Sequence, residues 1–228
     1  VKTNWRLELA LLFLIAAMFA AAILAWPNAP SDIPVHWNAS GEVDRHGGKV
    51  EGLLGLPLMS LAIYLLMRFL PRIDPGRANY ARFSGAYAAM RVGIQALLAL
   101  IHAVVLAWIS GRRIDVSQTA PLGVGALFVL LGAVLGKVRP NWFVGIRTPW
   151  TISSKRSWVR THRLGGWLFM ALGILFALTG AFRLGRFGPG ILVAVVGVVL
   201  VLSVYSYLVW RADPEKQAPA GTQPADEE

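Results

Sequence analysis

The chain contains no cysteine, so neither a disulfide framework nor a thiolate metal site can be built from it. Charge is scarce: only 15% of its 228 residues are Asp, Glu, Lys or Arg, and the acidic ones are outnumbered 12 to 22. No carboxylate falls deep within an apolar run, which weakens a reading as a proton- or sodium-coupled transporter. No nucleophile elbow, HExxH motif, phosphate-cradling glycine loop or poised carboxylate pair occurs, so no enzyme and no cofactor is expected. Ser153, Ser154 and His162 lie close together, but no orienting acid accompanies them and a helix-capping serine explains the pattern more simply.

Apolar residues make up 56% of the chain. They fall into six stretches: Leu7–Trp26, Leu53–Leu70, Ala86–Ile109, Pro121–Gly136, Leu164–Phe182 and Pro189–Trp210. A helix rises about 1.5 Å per residue and the hydrocarbon core is roughly 30 Å thick, so about 20 apolar residues span it. The expected class is therefore an all-α, polytopic integral membrane protein, a bundle of six transmembrane helices. Trp5, Trp26, Trp108, Trp167 and Trp210 fall near the ends of these stretches, the depth an amphipathic ring prefers. Leu7–Trp26 follows Lys2 and Arg6, yet it is too long for a signal-peptide core and reads as a retained span.

In such a chain the net charge of +10 speaks of orientation rather than of nucleic-acid binding. Lys2 and Arg6 precede the first span. Arg68, Arg72, Arg77 and Arg82 surround the second loop, and Lys137, Arg139, Arg147, Lys155, Arg156, Arg160 and Arg163 fill the fourth. The first loop mixes Arg45 and Lys49 with Asp32, Glu42, Asp44 and Glu51. Basic residues favour the cytoplasmic side, which places both termini inside and loops one, three and five outside. The fourth stretch is short and Gly-rich, but omitting it would turn the most basic loop outward. Residues 211–228 have no apolar periodicity and read as a disordered cytoplasmic tail.

Gly166, Gly173 and Gly180 recur every seven residues, as do Gly125 and Gly132, with Gly136 adding a small-xxx-small pair. Such faces let helices approach closely in lipid, or else line a cavity. Arg91, Gln95 and His102 share one face of the third span. They form either a hydrogen-bonded structural stripe or the lining of a ligand or ion route. Arg91 is near enough to the inner end to snorkel, and Glu8, near the inner end of the first span, is expected to pair with a basic loop residue.

Two loops carry the remaining signal. The first contains Ile33-Pro34-Val35-His36-Trp37-Asn38, then tight turns at Asn38–Gly41 and at Gly47-Gly48. His36, Asp44 and His46 are too weak a set to define a metal site, and a folded, membrane-capping loop with Trp37 at the interface is the better reading. Between Arg139 and Arg163 the fourth loop has no acid, while aromatic and basic residues interleave. Ser153 or Ser154 should cap a helix running into the fifth span, with Arg156, Arg160 and Arg163 on one face. That loop is either an anchor on anionic lipid, with Trp as wedge, or a docking surface.

The first loop's Ile33–Gly41 and Asp44–Lys49 pieces resemble a short domain of unknown function found at the start of many bacterial membrane proteins. Gly145-Ile146-Arg147-Thr148-Pro149-Trp150-Thr151, followed by Ser154, Trp158 and His162, resembles the signature of the SdpI family. The chain then divides into residues 1–70, two spans with the external loop; 71–210, a four-span SdpI-like region with its basic loop at 137–163; and the tail. The resemblance implies a multi-pass protein of the bacterial plasma membrane giving immunity to a membrane-active toxin. It implies signalling as well, through sequestration of a cytoplasmic autorepressor. His36, Trp37, Asn38, Gly41 and Asp44 would then lie on the toxin-facing side. Gly145, Arg147, Thr148, Trp158 and His162 would lie where a repressor docks. A small-solute or ion transporter and a lipid-interacting membrane component are the alternatives.

Overall fold

A computed structural model of the chain describes residues 4–38, 41–184 and 188–216. Its long helices are α1 (Trp5–Ala25), α2 (Gly55–Ile73), α3 (Ser84–Ile109), α4 (Val116–Leu135), α6 (Lys155–Ala181) and α7 (Gly188–Arg211), with a one-turn α5 (Pro149–Ile152) before α6. Six helices among the described residues are long and apolar enough to cross a membrane. They alternate in direction, so one end of the bundle, the terminal face, gathers the start of α1, the α2–α3 turn, the loop before α6 and the end of α7. The opposite end carries a small antiparallel hairpin, β1 (Ile33–Trp37) and β2 (Val43–Gly47).

The fourth span is longer than its apolar run. α4 begins at Val116, with Pro121 inside the helix, and its 20 residues rise about 30 Å, a full crossing. α6 likewise begins nine residues before its expected apolar stretch. Ser154 is its N-cap, accepting the Ser157 backbone N–H at 2.9 Å.

The central helix is α3, packed by α1 and α2 on one side and by α4 on another, while α4 lies along α6 and α6 along α7. The α4–α6 seam is the most extensive in the molecule, and its glycines explain why. A Cβ built on Gly125 would come 2.6 Å from the Gly173 carbonyl oxygen, and one on Gly132 would come 2.6 Å from that of Gly166. A Cβ on Gly180 would meet the Gln118 carbonyl at the same 2.6 Å. The two seven-residue stripes therefore face each other, backbone against backbone, and serve packing. Outward the helices present side chains such as Phe13, Leu24 and Val193. Lipid tolerates this and water would not.

Side chains also build a core at each end. At the terminal face Tyr80, Phe83, Tyr87, Val134, Leu135, Val138 and Trp158 cluster. At the hairpin face Ile33 and Leu53 are fully buried with Ala22 and Val105. Ile33 approaches the irregular helical turn Val50–Leu54 so closely that a Cβ on Gly52 would clash with it. Residues 217–228, most of the segment expected to be disordered, lie outside the described residues; 211–216 are described, and Asp213 within them is buried.

Candidate functional site

The acid-free fourth loop is a tightly wired unit on the terminal face. Asn141 organises its first half. Its amide donates to the Arg139 and Val144 carbonyls at 2.8 and 2.9 Å, and its oxygen accepts the Phe143 and Val144 N–H groups at 2.9 and 2.6 Å. Asp74, 1% exposed, reaches across from the α2–α3 turn. It accepts from the Gly76 N–H, the Tyr80 hydroxyl and the Trp142 N–H. Asn79 donates to the Pro140 carbonyl at 2.7 Å, tying the same two loops a second time.

The second half is built round His162. Its Nε2 accepts the Ile146 N–H at 3.0 Å and its Nδ1 donates to the Trp158 carbonyl at 2.8 Å, an arrangement that requires the neutral ring protonated at Nδ1. The ring stacks on Trp158, 4.1 Å between centroids, and the Trp158 indole donates to the Val138 carbonyl at 2.9 Å. Gly145, at φ +114, leaves the space that His162 Nε2 fills; a side chain there would be strained as well as obstructed. Thr148 starts α5 with a reciprocal capping box to Thr151, and its hydroxyl meets that of Ser206 on α7 at 3.0 Å. Ser154 donates to the Asp213 carboxylate at 2.5 Å, fastening the start of α6 to the end of α7.

Of the five residues expected to form a docking surface here, the structure separates two kinds. Gly145 and Arg147 are exposed, and Thr148 is half-buried. Trp158 and His162 are 1% and 0% exposed, so they are the loop's core and neither a surface nor a lipid wedge. Arg147 is held from beneath, its guanidinium donating to the Trp142 carbonyl at 2.7 Å. Arg156, Arg160 and Arg163 are exposed on α6, as their spacing predicts.

The intramembrane stripe is consumed by pairing. Arg91 does not snorkel: it is 6% exposed and forms a bidentate pair with Glu8 at 2.8 and 2.9 Å. Glu8, expected to pair with a basic loop residue, has its main partner in Arg91 on the neighbouring span, with Arg68, one of the basic residues around the second loop, ion-paired at 3.6 Å; it also accepts the Tyr64 hydroxyl at 2.8 Å. Removing two charges from solvent is tolerable only with such fork geometry and further hydrogen bonds. Gln95 exchanges hydrogen bonds with Ser60, through its side chain and its carbonyl. His102 Nε2 lies 3.2 Å from the Leu53 carbonyl. All three therefore join α3 to α1, to α2 or to the helical turn that precedes α2.

At the opposite end the first loop is a hairpin. His36 Nδ1 and Asp44 Oδ1 are 2.5 Å apart across the strands, both exposed. The Asn38 side chain bonds Glu42 twice, donating to its carboxylate at 3.1 Å and accepting its N–H at 3.0 Å. Trp37 is half-buried against the hairpin-face core. Gly41, at φ +80, sits so close to Ser117 that a Cβ would fall 2.6 Å from that side chain. The hairpin tip thus rests on the first turn of α4. Among the described residues no three His, Asp or Glu side chains gather to hold a metal ion.

Asp74, Asn141, Ser206 and Asp213 were not anticipated. The Asp74-Pro75-Gly76 turn signature was legible; the other three act through partners on separate elements.

These features define an all-α, polytopic membrane protein with six candidate membrane-spanning helices among the described residues. Residues 137–206 match the SdpI/YfhL protein family, and residues 13–61 match a domain of unknown function, DUF1648. The chain is 23% identical over 198 residues to Immunity protein SdpI of Bacillus subtilis (strain 168), covering 84% of this chain and 89% of that protein. No solved structure matches it.

Proposed function

We propose that this chain is a bacterial plasma-membrane immunity and signal-transduction protein, with both termini and the terminal face inside. Its similarity to a protein named for immunity supports the activity, and the excess of Lys and Arg in the second and fourth loops supports the orientation. The observation that carries the proposal is the fourth loop itself. A segment without acids is locked by Asn141, Asp74 and His162, yet leaves Arg147 exposed on top. A mere lipid anchor needs charge but not such preorganisation; a protein-docking surface needs both. In this reading the hairpin around His36, Trp37, Asn38, Gly41 and Asp44 faces a peptide or protein toxin, and the Arg147 surface receives a repressor protein.

The test is survival of a toxin-sensitive bacterium producing the chain, challenged with a membrane-active peptide toxin of the sporulation-delaying type, beside Arg147→Ala at matched membrane level. Protection by the parent and its loss in the variant is the expected result. Full protection by Arg147→Ala would remove the fourth loop from the function. A transport reading gains nothing from the stripe, since Arg91, Gln95 and His102 are each hydrogen-bonded to a neighbouring helix.

A further inference from the structure

Two adjoining cavities of about 570 and 600 Å³ lie at the terminal face, one between the start of α3 and the end of α4, the other over the start of α6. They share Arg82 and Arg139; Lys137 lines the first and Lys155 the second. No carboxylate lines either cavity. All four cations are exposed, and among the described residues none of their side chains makes a hydrogen bond or an ion pair. Other arginines of this face are answered within the protein: Arg68 and Arg91 by Glu8, Arg147 by the Trp142 carbonyl and Arg156 by that of Ala212. Here four like charges converge, and an anion between them would relieve their repulsion.

Beneath this basic rim the floor is apolar. Phe83, Ala86, Ala89 and Val134 line the first cavity. Ala89 lies seven residues past Arg82, roughly 10 Å of helix rise into the span. α4 carries no charged residue from Val116 to Leu135, and Lys137 and Arg139 follow almost at once. The rim therefore stands where two spans leave the hydrocarbon, and the floor runs down into it.

We propose that this cleft seats an anionic phospholipid, with its phosphate on Arg82 and Arg139 and its acyl chains against the α3–α4 floor. Guanidinium groups match phosphate oxygens in paired hydrogen bonds, and basic pockets between spans are where anionic headgroups bind. A free anion would use the rim and leave the floor empty. A soluble protein would not reach the depth of Ala89. The site is separate from the Arg147 surface and does not depend on the function proposed above.

The experiment places the full chain in nanodiscs of phosphatidylcholine and follows thermal unfolding. One arm replaces part of the lipid with phosphatidylglycerol; the other adds glycerol phosphate, a headgroup without acyl chains, at constant ionic strength. Each is repeated with Arg82→Gln/Arg139→Gln, with Arg82→Lys/Arg139→Lys, and with a charge-matched control on another face of α6, Arg156→Gln/Arg160→Gln. The readout is the change in Tm within each variant, so a shifted baseline does not enter it. A ligand that binds the folded state raises Tm by about 5–10 °C at ~100-fold excess over Kd. The expected result is such a rise with phosphatidylglycerol and none with glycerol phosphate. The rise should persist in the α6 control, shrink in the lysine pair and vanish in the glutamine pair. No rise with phosphatidylglycerol, an equal rise in the glutamine pair, or an equal loss in the α6 control overturns the proposal. An equal rise with glycerol phosphate also overturns it, since the apolar floor would then play no part.

Discussion

Glu8 and Arg91, 83 positions apart, join α1 to α3 through two parallel hydrogen bonds of 2.8 and 2.9 Å. Both residues are almost fully buried. Truncating one member strands the other, which costs about 3–5 kcal/mol where such pairs have been broken. Glu8→Ala and Arg91→Ala are each expected to lower Tm and membrane yield sharply. Glu8→Leu/Arg91→Met, which removes both charges and keeps volume, is expected to recover most of that loss. Thermal unfolding of the purified variants checks this; equal damage from the double and single variants would mean that the pair does more than cancel charge.

Gly173 tests the α4–α6 seam. A Cβ there would come 2.6 Å from both the Gly125 carbonyl and the Val129 nitrogen. Gly173→Leu is therefore expected to abolish the folded product, and even Gly173→Ala to reduce it. Gly197 on α7 has open space where a Cβ would stand. Gly197→Ala should be neutral or slightly stabilising, since Ala exceeds Gly in helix preference by about 1 kcal/mol. Folded fraction by size-exclusion chromatography distinguishes the two.

Arg147 and Trp158 should part company. Arg147→Ala removes an exposed guanidinium and one hydrogen bond to the Trp142 carbonyl, so membrane level should hold while protection falls. Trp158→Ala empties a site that is 1% exposed and stacked on His162. Its expected cost is about 3–5 kcal/mol, visible as loss of the protein itself. Immunoblots of membrane fractions beside survival assays separate these outcomes.

The Ser154–Asp213 fastening should respond to acid. The Ser154 hydroxyl, foremost, holds the Asp213 carboxyl below the usual carboxylate range. A depressed folded value stabilises above the unfolded value, about 3.9, and the gain disappears as pH falls through the folded value. Asp213→Asn should accordingly melt below the parent at neutral pH and converge on it in strong acid. Ser154→Ala, which also removes the α6 cap, should cost about 1 kcal/mol at neutral pH. A parent and Asp213→Asn that differ equally at all pH values would remove the carboxylate's charge from the explanation.

Much of this architecture is legible in the chain because lipid imposes a simple rule. Apolar length marks the spans, the seven-residue glycine spacing marks the seam, and Ser154 marks the start of a helix. The true start of α6 was hidden because Lys155–Arg163 is helical but basic, and apolar runs do not report it. The early start of α4 was hidden behind Ser117, Gln118 and Thr119. The hairpin was obscured because its register slips between Pro34 and His36 and again before Trp37, breaking the alternation that marks a strand. The distant partners of Arg91, Asp74 and Ser154, namely Glu8, Trp142 and Asp213, could not be read. Each comes from a different helix or loop, and one chain carries no record of which distant residue it will meet.

The glycine seam also sets an order of assembly. α4 leaves the ribosome before α6, and about 46 residues separate their last positions; at ~10 residues per second that interval lasts a few seconds. Throughout it the Gly125 and Gly132 face of α4 is a groove with no partner but lipid tails. The fourth loop cannot close until α6 fills that groove, because His162, Trp158 and the Ser154 cap all arrive on α6. Arg147 therefore takes its final place only once α6 is in position, and a chain stalled before α6 is inserted would present the basic segment unfolded.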